Sequence, residues 1–175
     1  EPANISLTMN SDPLYPYQWH LENSGQTNFA TVPGLAGNDL LLADAHQQGL
    51  TGQGVIVAVV DDGLEIEHED LAPNAVPGGS FDFVDEDNNP QKVGGDGGHG
   101  TSVAGIIASR GWNNIGTRGG APYASLKGFN FLQAQNSANF LASFGGSDYT
   151  ADVDIFNFSA GVPLSGVTTL HASPI

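Results

Sequence analysis

The apolar positions of this chain fall into short, dense runs separated by polar, glycine-rich stretches. Gly54-Val55-Ile56-Val57-Ala58-Val59-Val60 is continuous and β-branched, which predicts a strand buried on both faces. Two further runs, 125–132 and 153–158, predict two more strands. Between the first two, a helix is predicted to begin at His99 and to carry Val103, Ile106 and Ile107; a weaker helical pattern covers 134–144. Ahead of the first strand, Asn38 can cap a helix running from Asp39 to His46 and ended by Gly49. Residues 1–36, rich in Pro, Asn and Gly with scattered aromatics, read as an arm packed over a core, and 61–98 reads as an acidic loop. Strand, helix, strand, helix, strand predicts an α/β fold with a parallel sheet and helices on its faces. Such sheets gather functional groups at the carboxyl ends of their strands. Asp61 and Ser159 fall at such ends and His99 opens a helix, while the sheet itself looks unfinished.

Composition narrows the function classes. The 175 residues are enough for one core, and a 39 % apolar content argues against a disordered chain. Nineteen acidic residues against four basic ones give a formal net charge of −15. That excess speaks against nucleic acid and anionic membrane as partners, because both need clustered Lys or Arg. It suits a protein that binds metal ions or basic peptides, and equally one that is simply well solvated. The absence of cysteine excludes a Cys nucleophile and thiolate metal sites. No stretch approaches the roughly 18 consecutive apolar residues of a membrane span. Glu1-Pro2-Ala3 has neither an initiating Met nor a signal-peptide pattern, so it reads as a processed or artificially placed start.

Two segments carry candidate chemistry. In Val59-Val60-Asp61-Asp62-Gly63 a carboxylate ends a buried strand, where it must be hydrogen-bonded or paired; a plain Asp turn before Gly explains the pentapeptide as well. In Gly98-His99-Gly100-Thr101-Ser102-Val103-Ala104-Gly105 an imidazole starts a helix whose small residues allow close packing on the sheet. Alone, that His is a cap or a catalyst. Together, a buried Asp can fix the imidazole tautomer and stabilise the imidazolium formed in acyl transfer. A carboxylate pair of Asp61 and Asp62 is a further option, but neighbouring strand residues point to opposite faces and would not share a proton.

Asp61-Asp62-Gly63-Leu64, His68-Glu69-Asp70-Leu71, the His99–Gly105 segment and Asp154-Ile155-Phe156-Asn157-Phe158-Ser159-Ala160-Gly161 occur in the order of the subtilases. The opening Asp12-Pro13-Leu14-Tyr15 and Gln18-Trp19-His20-Leu21 resemble the mature start of the kexin/furin branch and its bacterial relatives, so the resemblance runs from about 10 to 162. It implies a subtilisin-like three-layer sandwich with a mostly parallel sheet, of which this chain is the N-terminal half: 1–36 as the arm, 37–175 as the first part of the catalytic domain. It further implies that Asp61 orients His99 and that His99 is the general base. The family's nucleophile lies in a later Gly-Thr-Ser segment followed by a small residue and Pro, and its oxyanion Asn lies beyond position 162; neither occurs here. Ser102, on the same helix as His99, is a decoy. Loss of the Ser costs such enzymes about 10⁶-fold in turnover, so the chain alone is expected to be inactive.

The same resemblance implies calcium. Side chains of Asp12, Asp70 and Asn113, with carbonyls of Arg110, Ile115 and Thr117, match one site whose hard oxygen donors suit Ca²⁺. Asp82, Asp87 and Asn89 match a second calcium loop of the kexin branch; a solvated acidic turn is the other reading. Asp62 and Asp96 stand where the branch receives a basic side chain one position before the cleaved residue. Ser159-Ala160-Gly161 is expected to be the extended strand against which substrate backbone pairs. Ala160 replaces the branch's Trp and Leu164 its pocket acid, so strict cleavage after paired basic residues is not implied. The expectation is a secreted, extracellular or periplasmic serine endopeptidase that acts on peptides or proteins once completed by its Ser-bearing part, possibly as a separate cleaved chain. The rival is a non-catalytic calcium- or peptide-binding remnant.

Overall fold

The computed structural model describes residues 12–91 and 98–161. Three strands form: β1 Ile56–Val60, β2 Ser125–Phe129 and β3 Ile155–Asn157. All pair in parallel in the order β2-β1-β3, with Val60 opposite Phe129 and Val59 opposite Asn157. The α-helices are α1 Ala43–Gln47, α2 His99–Ala108 and α3 Ser137–Ser143. α2 lies between β1 and β2 in the chain, and α3 between β2 and β3.

Side-chain alternation along β1 explains the layering. Val57 and Val59 join Leu64, Leu71, Ala104, Ala108, Ala124 and Leu126 in one core, so α2 covers that face with its alanines. Ala58 and Val60 join Phe129 and Phe131 in a second core on the other face, against Phe144 at the end of α3 and Phe156. Each fully buried Val is worth about 1.5–3 kcal/mol relative to exposure, which is why β1 is the axis of the fold. A further edge runs along β2, where Val76 N–H donates to Leu126 O and Phe81 N–H to Gly128 O.

All three strands, α1 and α3 are shorter than their patterns predict. Asn38 does not cap α1, which begins only at Ala43 without a side-chain cap. Asp39 instead accepts from the N–H groups of Asn23 and Leu41, bonds that hold its carboxyl below the usual range, and Leu41 has a left-handed φ of 54° that breaks helical continuity. β2 stops at Phe129 because the chain turns back there: Leu132 N–H donates to Asp61 O. α3 starts at Ser137, where the Asn136 side chain caps Asn139 N–H.

Basic side chains are used inside the fold. Arg118 is 3 % exposed and stacks between Tyr15 and Trp112, 4.2 and 4.4 Å from their ring centroids. Trp112 stacks on Tyr123, whose other neighbour is the Arg110 guanidinium at 4.2 Å. This column, with Gln18 pairing both main-chain groups of Arg118 at 2.8 Å, docks the arm. On β2, Lys127 is 4 % exposed and its Nζ reaches Tyr149 O at 2.9 Å and Asp152 Oδ1 at 2.5 Å, holding the Asp152 carboxyl low.

Candidate active site

Asp61 follows the last residue of β1 and is fully buried, its N–H still bonded to Phe129 O at 3.0 Å. Its Oδ1 accepts from His99 Nδ1 at 2.7 Å and from Asp62 N–H at 2.7 Å. Oδ2 is buried without a hydrogen-bond partner among the described residues. His99 is the first residue of α2 and its side chain is 57 % exposed. With the proton on Nδ1 donated to the carboxylate, the basic lone pair lies on Nε2. An imidazole so oriented can take a proton at Nε2 while the buried carboxylate stabilises the resulting charge. A simple Asp turn would not recruit an exposed imidazole from another element.

The close approach of α2 to the end of β1 depends on Gly100. A Cβ there would lie 2.1 Å from Gly63 O and 2.8 Å from Asp61 Cβ. Gly100 N–H, one of the unpaired donors of the first helical turn, donates to Asp62 Oδ1 at 2.9 Å, and Glu65 N–H donates to Thr101 Oγ1 at 3.0 Å. Strand alternation therefore does not separate Asp61 from Asp62, because β1 ends at Val60 and the chain bends. One ligand atom each of Asp61, Asp62 and His99 lies within 4.8 Å of the others. The two carboxylates accept from different donors, which is unlike a pair sharing one proton.

Other expected site residues fall into three groups. Ser159, Ala160 and Gly161 lie beyond β3 and are not in a strand; Ser159 Oγ donates to Asn157 Oδ1 at 3.0 Å. Asp96 and Leu164 are outside the described residues. Ser102 is exposed on α2 and lines a cavity of about 600 Å³ with Tyr17, Trp19, Phe29 and Ile106; neither Asp61 nor His99 lines it.

Asp12, Asp70 and Asn113 meet at the loop 112–117. Asp12 Oδ2 accepts from Trp112 N–H at 3.0 Å and Arg118 Nε at 2.8 Å, and Oδ1 from Asn113 N–H at 3.1 Å. Arg118 Nη2 is also 2.7 Å from Oδ2, an ion pair whose angle is too bent for another hydrogen bond. Asp70 accepts from Asn113 Nδ2 at 2.8 Å and Thr117 N–H at 2.9 Å, and its backbone O accepts from Arg110 N–H. Asn113 Oδ1 accepts from Ile115 N–H at 2.9 Å. At 2 % exposure Asp70 is a buried carboxylate with no cationic partner among the described residues, which a bound cation would remedy. Asp82, at 1 % exposure, accepts from Val84 and Asp85 N–H, and Asp87 from Asn89 N–H, so the second loop is held by its own turns.

Residues 52–172 match the model of the subtilase family. The chain belongs to that family. This subtilase chain is 48 % identical over 155 residues to the extracellular serine protease of Aeromonas sobria, covering 87 % of this chain and 24 % of that protein. It is 39 % identical over 130 residues to kexin of Saccharomyces cerevisiae, covering 74 % of this chain and 15 % of kexin. The crystal structure of the Aeromonas sobria serine protease matches with a TM-score of 0.81 over 87 % of this chain and 26 % of that one, and that protease has also been crystallised with a chaperone. The subtilase chain thus spans about a quarter or less of the length of these relatives.

Two contributors escaped the sequence reading. Arg118, paired with Asp12, could have been suspected as one of four basic residues in a strongly acidic chain. Gln133, whose Nε2 donates to the Asp62 carbonyl, left no signal.

Proposed function

We propose that this subtilase chain supplies the Asp and His of a serine endopeptidase of the subtilisin/kexin type. The 2.7 Å contact between buried Asp61 and His99 carries this reading. A Ser hydroxyl from a further segment attacks the scissile carbonyl while His99 Nε2 takes its proton. The imidazolium, held by Asp61, then protonates the leaving amine, and water hydrolyses the acyl-enzyme by the same route. An oxyanion Asn from that further segment stabilises the tetrahedral intermediates. Asp62 and Asp96 receive a basic side chain preceding the cleaved residue, and Ser159–Gly161 pairs with substrate backbone. By analogy with the Aeromonas protein the enzyme acts outside the cell.

The test is intact mass of the full-length protein before and after a fluorophosphonate probe. Labelling of a polypeptide that carries the Ser is expected, with the labelling rate lost in His99→Ala. No labelling of wild-type protein would leave a calcium- or peptide-binding remnant as the better reading.

Calcium belongs to the same proposal. Asp70, Asn113 and Asp12 Oδ1, with the carbonyls of Arg110, Ile115 and Thr117, would hold one ion, and Asp82, Asp87 and Asn89 a second. The uncompensated burial of Asp70 supports the first site. The ion would supply structural charge neutralisation and take no part in proton transfer. At a hundredfold excess over Kd one ion stabilises by about 2.7 kcal/mol. Chelation is therefore expected to lower the melting temperature of the full-length protein by several degrees, and Asp70→Asn to abolish most of that difference. Equal melting curves in chelator and in calcium would remove the ion from the proposal.

A further inference from the structure

Among the described residues, three hydrogen bonds hold Asp62. Its N–H donates to Asp61 Oδ1 at 2.7 Å, its Oδ1 accepts from Gly100 N–H at 2.9 Å, and its carbonyl accepts from Gln133 Nε2. The first two bonds come from the catalytic Asp and from α2. The third comes from the turn Phe131–Gln133 that follows β2. That turn is itself anchored, since Leu132 N–H donates to Asp61 O and Gln133 N–H to Asn130 O.

The acceptor is the oxygen of the peptide joining Asp62 to Gly63. Gly63 has a φ of 143°, a region open to glycine, so its own backbone offers little resistance to rotation of that peptide. Gln133 is exposed and gains nothing from burial by adopting this rotamer. A long side chain held across an exposed turn loses conformational freedom, and the bond to Asp62 is what compensates it.

We infer that Gln133 is a positioning residue for substrate specificity: its amide locks the Asp62–Gly63 peptide and so aims the Asp62 carboxylate at a basic substrate side chain. The inference rests on the reading of Asp62 as the acceptor of that side chain. Among the described residues, Gln133 bonds to the Asp62 carbonyl and not to the side chains of His99 or Asp61, so it is placed to act on Asp62 and not on proton transfer.

The experiment compares Gln133→Met and Asp62→Asn in the full-length protein on two peptides differing only before the cleaved residue, one with Lys and one with Ala there. Gln133→Met is nearly isosteric and keeps no donor. Losing one hydrogen bond that orients a charge is expected to cost about tenfold in kcat/KM on the Lys peptide, through KM, with under about twofold on the Ala peptide. Asp62→Asn should remove the Lys preference altogether. If Asp62→Asn removes the preference and Gln133→Met leaves it intact, the positioning role is wrong. If Gln133→Met lowers kcat equally on both peptides, Gln133 serves the general site and the specificity role is wrong. If Asp62→Asn leaves the preference untouched, the reading of Asp62 fails and the inference with it.

Discussion

Asp61→Asn in the full-length protein is expected to lower kcat about ten-thousandfold while KM and thermal stability change little. The expected size comes from the tautomer. Asp61 Oδ1 holds two donors, the His99 Nδ1–H and the Asp62 N–H, both at 2.7 Å. An Asn amide is nearly the same size and can satisfy only one arrangement at a time. If its oxygen keeps Asp62 N–H, its NH₂ must occupy the unpartnered Oδ2 position; if its NH₂ faces His99, the imidazole must accept at Nδ1 and carry its proton on Nε2. The second arrangement removes the base, and even the first lacks the charge that stabilises the imidazolium. A reduction below tenfold, measured by active-site titration and steady-state kinetics together, would show that His99 does not depend on Asp61.

Gly100→Ala is expected to damage fold and activity together. The new Cβ would meet Gly63 O at 2.1 Å, a backbone atom that cannot swing aside as a side chain could. α2 must then retreat from the end of β1, taking His99 from Asp61 and Gly100 N–H from Asp62 Oδ1. Overpacking of this kind costs about 1–3 kcal/mol, and a displacement near 1 Å in a catalytic pair costs about a hundredfold in rate. Gly105, one turn on, supplies the control. No neighbour lies within 4 Å of a Cβ there, so Gly105→Ala should stabilise by about 0.5–1 kcal/mol through helix propensity and leave kcat alone. Melting temperature and kcat of both variants decide the matter. Equal behaviour would mean that helix propensity, and not the contact with Gly63, governs this turn.

The parallel sheet was legible because its strands are buried on both faces, so Val57 to Val60 leave no polar position to confuse the pattern. The Asp61–His99 pair was legible because both sit at element ends and in dense motifs. What failed was local competition for polar groups. Asp39 looked like part of a helix start, yet its carboxylate is taken by Asn23 across the arm, and no residue spacing announces a contact of that range. The Asp61–Asp62 geometry was misjudged for a related reason: alternation holds only inside a strand, and β1 ends one residue earlier. Arg118 stands in a glycine-rich run that reads as loop, and its burial follows from aromatic rings contributed by Tyr15 and Trp112, roughly a hundred positions apart.

That interior use of cations shapes how the molecule is seen from outside. Arg118 and Lys127 are buried in ion pairs, and Arg110 is spread over Tyr123 and bonded to Asn74. Three of the four basic residues in the chain are thus tied to internal partners, against nineteen acidic residues of which Asp12, Asp61, Asp70 and Asp82 are buried, and the net charge stays at −15. The far field around this part of the protein is almost wholly anionic. It extends about 10 Å at 0.1 M salt and shrinks to about 3 Å at 1 M. A positively charged peptide approaching this field would be drawn in over a distance set by the medium, and its capture would slow as ionic strength rises even with every contact unchanged.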